Sequence, residues 1–298
     1  MWYAGVGMIQ TQEVAPLETT SRKPRDDELD VYGITDRGKV RAENQDHFLI
    51  GSLRKRIDIL QSSLPELSQI PLAEARVAAF LIVADGVGGG LKGEQASRTT
   101  LEVATKYLAE SANCYYRFEE DVDLAGALEE GARKCHEALQ ERAAHDENAV
   151  GMATTLTLFI GVWPWIYLLQ VGDSRYYQFR NGVLRQISRD QTLAQEMADQ
   201  GIISPELVSR SPLTNVLSSS IGGHQTAPVV TRIPNAWNMV QLLCSDGLTR
   251  HVPDSRIAER LGAMKSARQV CEDLVQDALD GGGTDNITVV VGRAIPKE

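Results

Sequence analysis

No apolar run in the 298-residue chain approaches the roughly 18 residues that cross a bilayer, so a transmembrane helix is excluded. The N-terminus lacks the basic and apolar stretches of a secretory signal, and the cytoplasm is the expected compartment. Cysteine is scarce. Cys114, Cys135, Cys244 and Cys271 lie far apart with no C-x-x-C pair, which argues against a zinc knuckle or a disulfide framework. Positive charge is also short: 30 Lys and Arg against 40 Asp and Glu leave a net charge of −10. Nucleic-acid binding by charge alone needs the opposite excess. Apolar residues are not lacking. At 43% they suffice for a sizeable core and exclude wholesale disorder.

Residues 1–30 form a separate compositional zone, read as a flexible tail, and 31–298 as one domain. Gly51–Arg76 resembles an insertion between two strands, with Ile57, Leu60, Leu64 and Leu67 spaced as on an amphipathic helix. Ala78–Ala84 is apolar throughout and predicts a strand buried on both faces. Thr154–Val162 and Ile166–Val171 flank Trp163-Pro164-Trp165 and predict a hairpin. Tyr176–Phe179 and Val183–Ile187 flank Asn181-Gly182, the strongest short hairpin signal. Val240–Cys244 and Ile287–Val291 complete the strands. Apolar stripes three or four residues apart predict helices over Glu94–Glu110, Leu124–Arg142 and Ser266–Leu279. Ser266 and Gln269 suggest a capping box at the last of these. Cys135 and Cys271 fall on the apolar stripes and read as inert core thiols.

The chemistry lies in where aspartates fall relative to strands. Asp85 follows AAFLIVA, Asp173 follows IYLLQVG, Asp246 follows VQLLCS, Asp285 precedes ITVVV, and Asp46 precedes Phe48–Ile50. Each alone reads as a turn residue. As a set they place five acids at the ends of buried strands that one edge could bring together, and like charges so placed need a cation. Carboxylates without His or Cys suit Mg²⁺ or Mn²⁺, and the five histidines show no zinc spacing. A rival reading rests on Gly88, Gly90 and Gly93, which satisfy G-x-G-x-x-G between a strand and a helix. The second parallel strand of a dinucleotide fold should follow that helix, yet Asn113–Asp123 is polar. The bland reading is a tight loop that brings backbone close to an ion.

Six segments in order then resemble the metal-dependent Ser/Thr protein phosphatases of type 2C in their bacterial form. They are GITDRGKVRAENQD (Gly33–Asp46), VADGVGGGLKGEQAS (Val83–Ser97), GMATTLTL (Gly151–Leu158), VGDSRYYQFRNG (Val171–Gly182), SDGLT (Ser245–Thr249) and GGTDNITVVV (Gly282–Val291). The resemblance spans Tyr32–Arg293, nearly ninety percent of the chain. It implies an α+β fold: a four-layer α-β-β-α sandwich of two antiparallel sheets with the metal site at one edge. It implies that Asp85 bridges two Mg²⁺ or Mn²⁺ ions, that the Gly86 carbonyl binds one of them, and that Asp246 and Asp285 complete the ligands of the second ion. Asp173 would serve a third ion, Arg41 would grip the substrate phosphate, Asp46 would orient the attacking water, and Asn286 would support the site. Gln195–Ser220 corresponds to a variable flap.

The implied activity is hydrolysis of phosphoserine and phosphothreonine in proteins by metal-activated water, on substrates of a Ser/Thr kinase. A catalytically silent interaction module on the same fold and a small-metabolite phosphatase are the alternatives. Three positions depart from the family pattern. Val87 replaces a His or Met, so no side chain there can donate a proton to the leaving group; Gly90 replaces a frequent His; and Arg250-His251 follow SDGLT where an acid is frequent.

Overall fold

The computed structural model describes residues 22–55, 75–88, 91–111 and 124–297. The chain enters through a 3₁₀ turn at Asp26–Glu28 and strand β1 (Leu29–Asp36), followed by β2 (Asp46–Lys55), β3 (Ala75–Val87) and helix α1 (Leu91–Glu110). Helix α2 (Leu124–His145), a short β4 (Ala153–Thr154), β5 (Leu156–Val162), β6 (Trp165–Val171), β7 (Arg175–Arg180) and β8 (Val183–Gln186) come next. After α3 (Leu193–Asp199) the chain runs through β9 (Val229–Pro234), β10 (Val240–Cys244), α4 (Asp246–Thr249), α5 (Asp254–Gly262), α6 (Ala267–Asp280) and β11 (Ile287–Ala294).

The strands make two antiparallel sheets. One has the order β1-β11-β10-β7-β8; the other has β2-β3-β5-β6-β9, with β4 paired to the end of β3. Alternation along single strands stacks them into four layers. In β3, Leu81 and Val83 face the opposite sheet beside Leu243 and Val290, while Phe80, Ile82 and Ala84 pack under α1 and α2. In β11, Val290 points inward and Ile287, Val289 and Val291 point out toward α4, α5 and α6. The expected α-β-β-α sandwich is therefore what the side chains build.

Local signals landed where the backbone needed them. Asn181 and Gly182 both take positive φ (51° and 77°), the pairing that matches the twist of a two-residue hairpin. Ser266 caps α6 by accepting from Gln269 N–H (3.2 Å). The Gln269 side chain accepts instead from Lys265 N–H (3.2 Å), so the expected capping box is only half closed. The antiparallel neighbours of β3 leave no parallel β-α-β unit, which removes the dinucleotide reading of its glycines. Cys135, Cys244 and Cys271 are free and buried, and burial pushes all three thiols up to about 12. Cys114 lies outside the described residues, as do the amphipathic spacing over Ile57–Leu67 and most of the N-terminal zone.

Two boundaries differ from the sequence reading. The tail does not extend to Asp30: β1 begins at Leu29, and buried Glu28 takes two hydrogen bonds from Arg22 (2.7 Å each) and one from Lys297 N–H (3.1 Å). A buried carboxylate demands such partners, so polar residues that look loose in sequence are held. Strand β3 is also longer than its apolar run. Its polar end continues pairing through Asp85, which sits directly opposite Asp46 in β2.

Helices α5 and α6 are clamped by one acid. Asp277 accepts from Arg256 (Nε 2.9 Å, Nη2 3.2 Å) and Arg260 (Nε 2.7 Å, Nη2 2.7 Å). Arg260 first, and then Arg256, hold its carboxyl down at about 2 against partial burial. A depressed carboxyl stabilises the fold above its unfolded value and loses that effect as pH falls through the folded one. Asp277→Asn should therefore cost about 1–2 kcal/mol in urea unfolding at pH 7. The difference from the unsubstituted protein should shrink as pH falls from about 4 toward 2.

Candidate active site

Five chain segments bring their aspartates to one edge of the sandwich. Asp46 opens β2 and Asp85 lies near the end of β3. Asp173 lies in the turn between β6 and β7, Asp246 opens α4, and Asp285 stands two residues before β11. Asp85, Asp173, Asp246 and Asp285 line one cleft of about 1260 Å³ together with Gly86, Val87, Arg41 and Arg250. Asp46 lies beneath it, buried.

The backbone around these acids is held by side chains. Asp85 N–H donates to Thr155 Oγ1 (2.9 Å), whose hydroxyl shares a hydrogen with Ser174 (2.7 Å). Thr154 donates to the Asp85 carbonyl (2.8 Å). Both threonines are buried: Thr154 closes β4, and Thr155 lies between β4 and β5. Asn286 ties down the loop that carries Arg41. Its carbonyl accepts from Gln45 N–H (2.8 Å), and its amide donates to the Arg37 and Glu43 carbonyls (2.9 Å each). The same loop needs a glycine at position 38, where φ is +76° and a Cβ would stand 2.2 Å from the Asp285 carbonyl.

The electrostatics are those of crowded anions. Burial, then the neighbouring charges of Asp46, Asp246, Asp173 and Asp285, drive the Asp85 carboxyl well above its usual range. Burial raises Asp173 to about 8, with Asp246 and Asp190 adding to it. Asp46 rises to about 6 through burial, although Ser245 Oγ (2.6 Å) and Thr288 Oγ1 (2.8 Å) both donate to its Oδ2. Its Oδ1 is buried with no partner. Burial also raises Asp246, against the pull of Arg250.

Two guanidinium groups offset part of this charge. Arg41 grips Asp285 through Nε and Nη2 (2.7 Å each). Arg250 reaches Asp285 through Nη1 (2.9 Å) and Asp246 through Nη2. Among the described residues no three acid, His or Cys side chains form a ready metal cage, and these arginines lie across Asp246 and Asp285. The donor set still fits hard divalent cations: carboxylates that raise one another's proton affinity, and a bare buried carboxylate oxygen beside them.

Every candidate site residue from the sequence thus falls in or beside the cleft. Sequence reasoning passed over three participants. Arg250 entered only as a departure, although its position four residues after Asp246 on a helix start is ion-pair spacing. Ser245 and Thr288, which hold Asp46, sit in the SDGLT and ITVVV segments as buried hydroxyls. Thr288 is the polar member of an otherwise apolar run and could have been noticed for that.

The protein phosphatase 2C family matches residues 72–280. Among curated relatives, the serine/threonine protein phosphatase PstP of Mycobacterium tuberculosis is 32% identical over 261 residues, 88% of this chain and 44% of that protein. The chain thus spans less than half the length of that relative. The serine/threonine phosphatase stp of Listeria monocytogenes is 30% identical over 258 residues, 86% of this chain and 92% of that one. The catalytic domain of PstP, solved in complex with two manganese ions, superposes with a TM-score of 0.69 at 30% identity, covering 90% of this chain and 99% of the other. The two-sheet sandwich is thus shared with a solved phosphatase domain. The chain belongs to the protein phosphatase 2C family.

Asn286 makes a test of the site's framework. Asn286→Ala removes the partner of three part-buried backbone groups, at roughly 0.5–1.5 kcal/mol for each hydrogen bond lost. A lowered melting temperature and a larger proteolytic susceptibility of the 37–45 loop are the expected results, measured by thermal melts and limited digestion.

Proposed function

We infer that this chain is a metal-dependent phosphatase acting on phosphoserine and phosphothreonine in proteins. The observation that carries the reading is the convergence of Asp85, Asp173, Asp246 and Asp285 on one cleft beside two guanidinium groups. Family membership supports the same reading. Mg²⁺ or Mn²⁺ bound there supplies activation of water and neutralisation of phosphate charge. Asp85, Asp246 and Asp285, with the Gly86 carbonyl, are the residues to hold two ions, and Asp173, with Asp246, those for a third.

The chain's own residues do the rest. Asp46, fixed by Ser245 and Thr288 through one oxygen, offers its bare Oδ1 as the acceptor that orients the attacking water. Arg41 is half exposed and meets one of the acids, whereas Arg250 is less exposed and bridges two. Guanidinium forks suit phosphate oxygens, and those of both residues open on the cleft. Val87 brings no proton to the leaving oxygen, so that proton comes from solvent in the open cleft. The flap over Gln195–Ser220, with the residues that lead into it, forms one wall. It closes on itself through Leu193 N–H to the Val216 carbonyl (2.8 Å) and Ser218 N–H to the Gln191 carbonyl (2.9 Å). Ser204-Pro205 and Ser211-Pro212 start its two 3₁₀ turns, where a proline costs no hydrogen bond. A cleft this wide suits a protein segment better than a small metabolite. The partners are the phosphorylated substrates of a Ser/Thr kinase, and the compartment is the cytoplasm.

Purified protein should release phosphate from an aryl phosphate and from phosphothreonine peptides with Mn²⁺ or Mg²⁺, and stop with chelator. Asp85→Asn and Asp246→Asn should each lose most of the rate. Full activity after exhaustive chelation, or in either variant, would reject the reading. Arg41→Ala should chiefly raise KM, by the loss of a charge-assisted contact of about 1.5–3 kcal/mol. Asp173→Ala should cut turnover while leaving the melting temperature and two bound ions in place, which calorimetric metal titration reads.

A further inference from the structure

Twelve large apolar side chains stand exposed among the described residues, and four of them line this one cleft: Val87, Val150, Leu193 and Val216, each between 37% and 56% exposed. Isolated exposed apolar groups need no explanation, but a set gathered around a polar centre does. The four come as two pairs on different elements. Val87 ends β3, paired through its strand to Ala153. Val150 lies just before that partner strand, and its carbonyl accepts from Lys92 Nζ (2.8 Å). The other pair is joined by Leu193 N–H donating to the Val216 carbonyl (2.8 Å) on the flap. The acid centre opens on the same cleft.

Apolar residues beside a phosphorylated side chain would meet two apolar walls there, and each would remove exposed apolar surface from water. Continuity with the catalytic cleft fixes the occupant. The chain segment that delivers the phosphorylated side chain must itself cross those walls.

We propose that the Val87/Val150 and Leu193/Val216 pairs form a substrate-reading rim that selects phosphoserine or phosphothreonine segments flanked by apolar residues over those flanked by polar ones. This rests on the phosphatase reading above and goes beyond it in naming the sequence chemistry of the substrate. The rim acts on the flanking residues and not on the reacting atoms, so its signature is a change in the ratio of peptide to aryl phosphate turnover.

The test uses the full chain with Mn²⁺ and phosphothreonine peptides identical except for Leu, Ser or Glu on either side of the phosphothreonine. An aryl phosphate, which has no flanks, is the reference. Leu-flanked peptide should exceed Ser-flanked peptide about tenfold or more in kcat/KM, a factor worth about 1.4 kcal/mol. Val150→Asp and Val216→Asp should lower the ratio of Leu-flanked peptide to aryl phosphate several-fold, mainly through KM. Both positions are exposed, and the near-isosteric Val150→Thr stands in where Asp lowers the melting temperature. Equal rates on all peptides with normal aryl phosphate turnover would overturn the rim and leave the phosphatase reading standing. No turnover of any phosphate would overturn both. A dimer in size-exclusion chromatography that Val150→Asp turns into a monomer would assign the rim to a second copy of the chain and overturn the proposal as well.

Discussion

Like charges opposed across a strand pair are the constraint around which this molecule is arranged. Asp46 and Asp85 face one another in β2 and β3, where carboxylates destabilise a sheet, and Asp173, Asp246 and Asp285 come in from three other segments. Hydrophobic packing of the two sheets supplies the rigidity that keeps these ends together. The layer between them, from Leu81 to Val290, is continuous apolar contact. The acid edge is then stabilised locally, by Ser245 and Thr288 on Asp46 and by Arg41 and Arg250 on Asp246 and Asp285. What these donors leave uncompensated is visible in the raised carboxyls of Asp85 and Asp173 and in the partnerless Asp46 Oδ1. A site of this kind stores demand for divalent charge.

The loops follow from the same constraint. Asn286 spends its whole side chain on the backbone of residues 37–45, and Gly38 lets that loop lie against the Asp285 carbonyl. Arg41 is thereby carried to the acids from a segment distant in sequence. The flap is built differently, from short turns that close on themselves, and contributes shape rather than charge. Under the proposed function labour is divided: the sandwich edge would hold the reacting centre rigid, and the surrounding segments would meet the substrate.

Much of this was legible in the residues. Asn181-Gly182 announced its hairpin, AAFLIVA its two-sided strand, and the acids at strand ends their common destination, because each depends on neighbours in sequence. The ordered motifs resolved the fold class, which local patterns alone left open. What escaped depends on partners far along the chain. Glu28 looked like part of a polar tail because Arg22 and Lys297 reveal their roles only once folded. The placement of Asp85 directly opposite Asp46 escaped because it depends on the register of β2 against β3. Arg250 read as a departure from a pattern, and its bridge between Asp246 and Asp285 needed the approach of β11 to α4.

The claim that the acid centre is built for divalent cations is tested most directly without any substrate, by calorimetric titration of Mn²⁺ into chelator-stripped protein followed by a thermal melt. The account predicts that more than one ion binds per chain and that the melting temperature rises, since relieving carboxylate repulsion stabilises the folded state over the unfolded one. Absence of binding heat together with an unchanged melting temperature would contradict it.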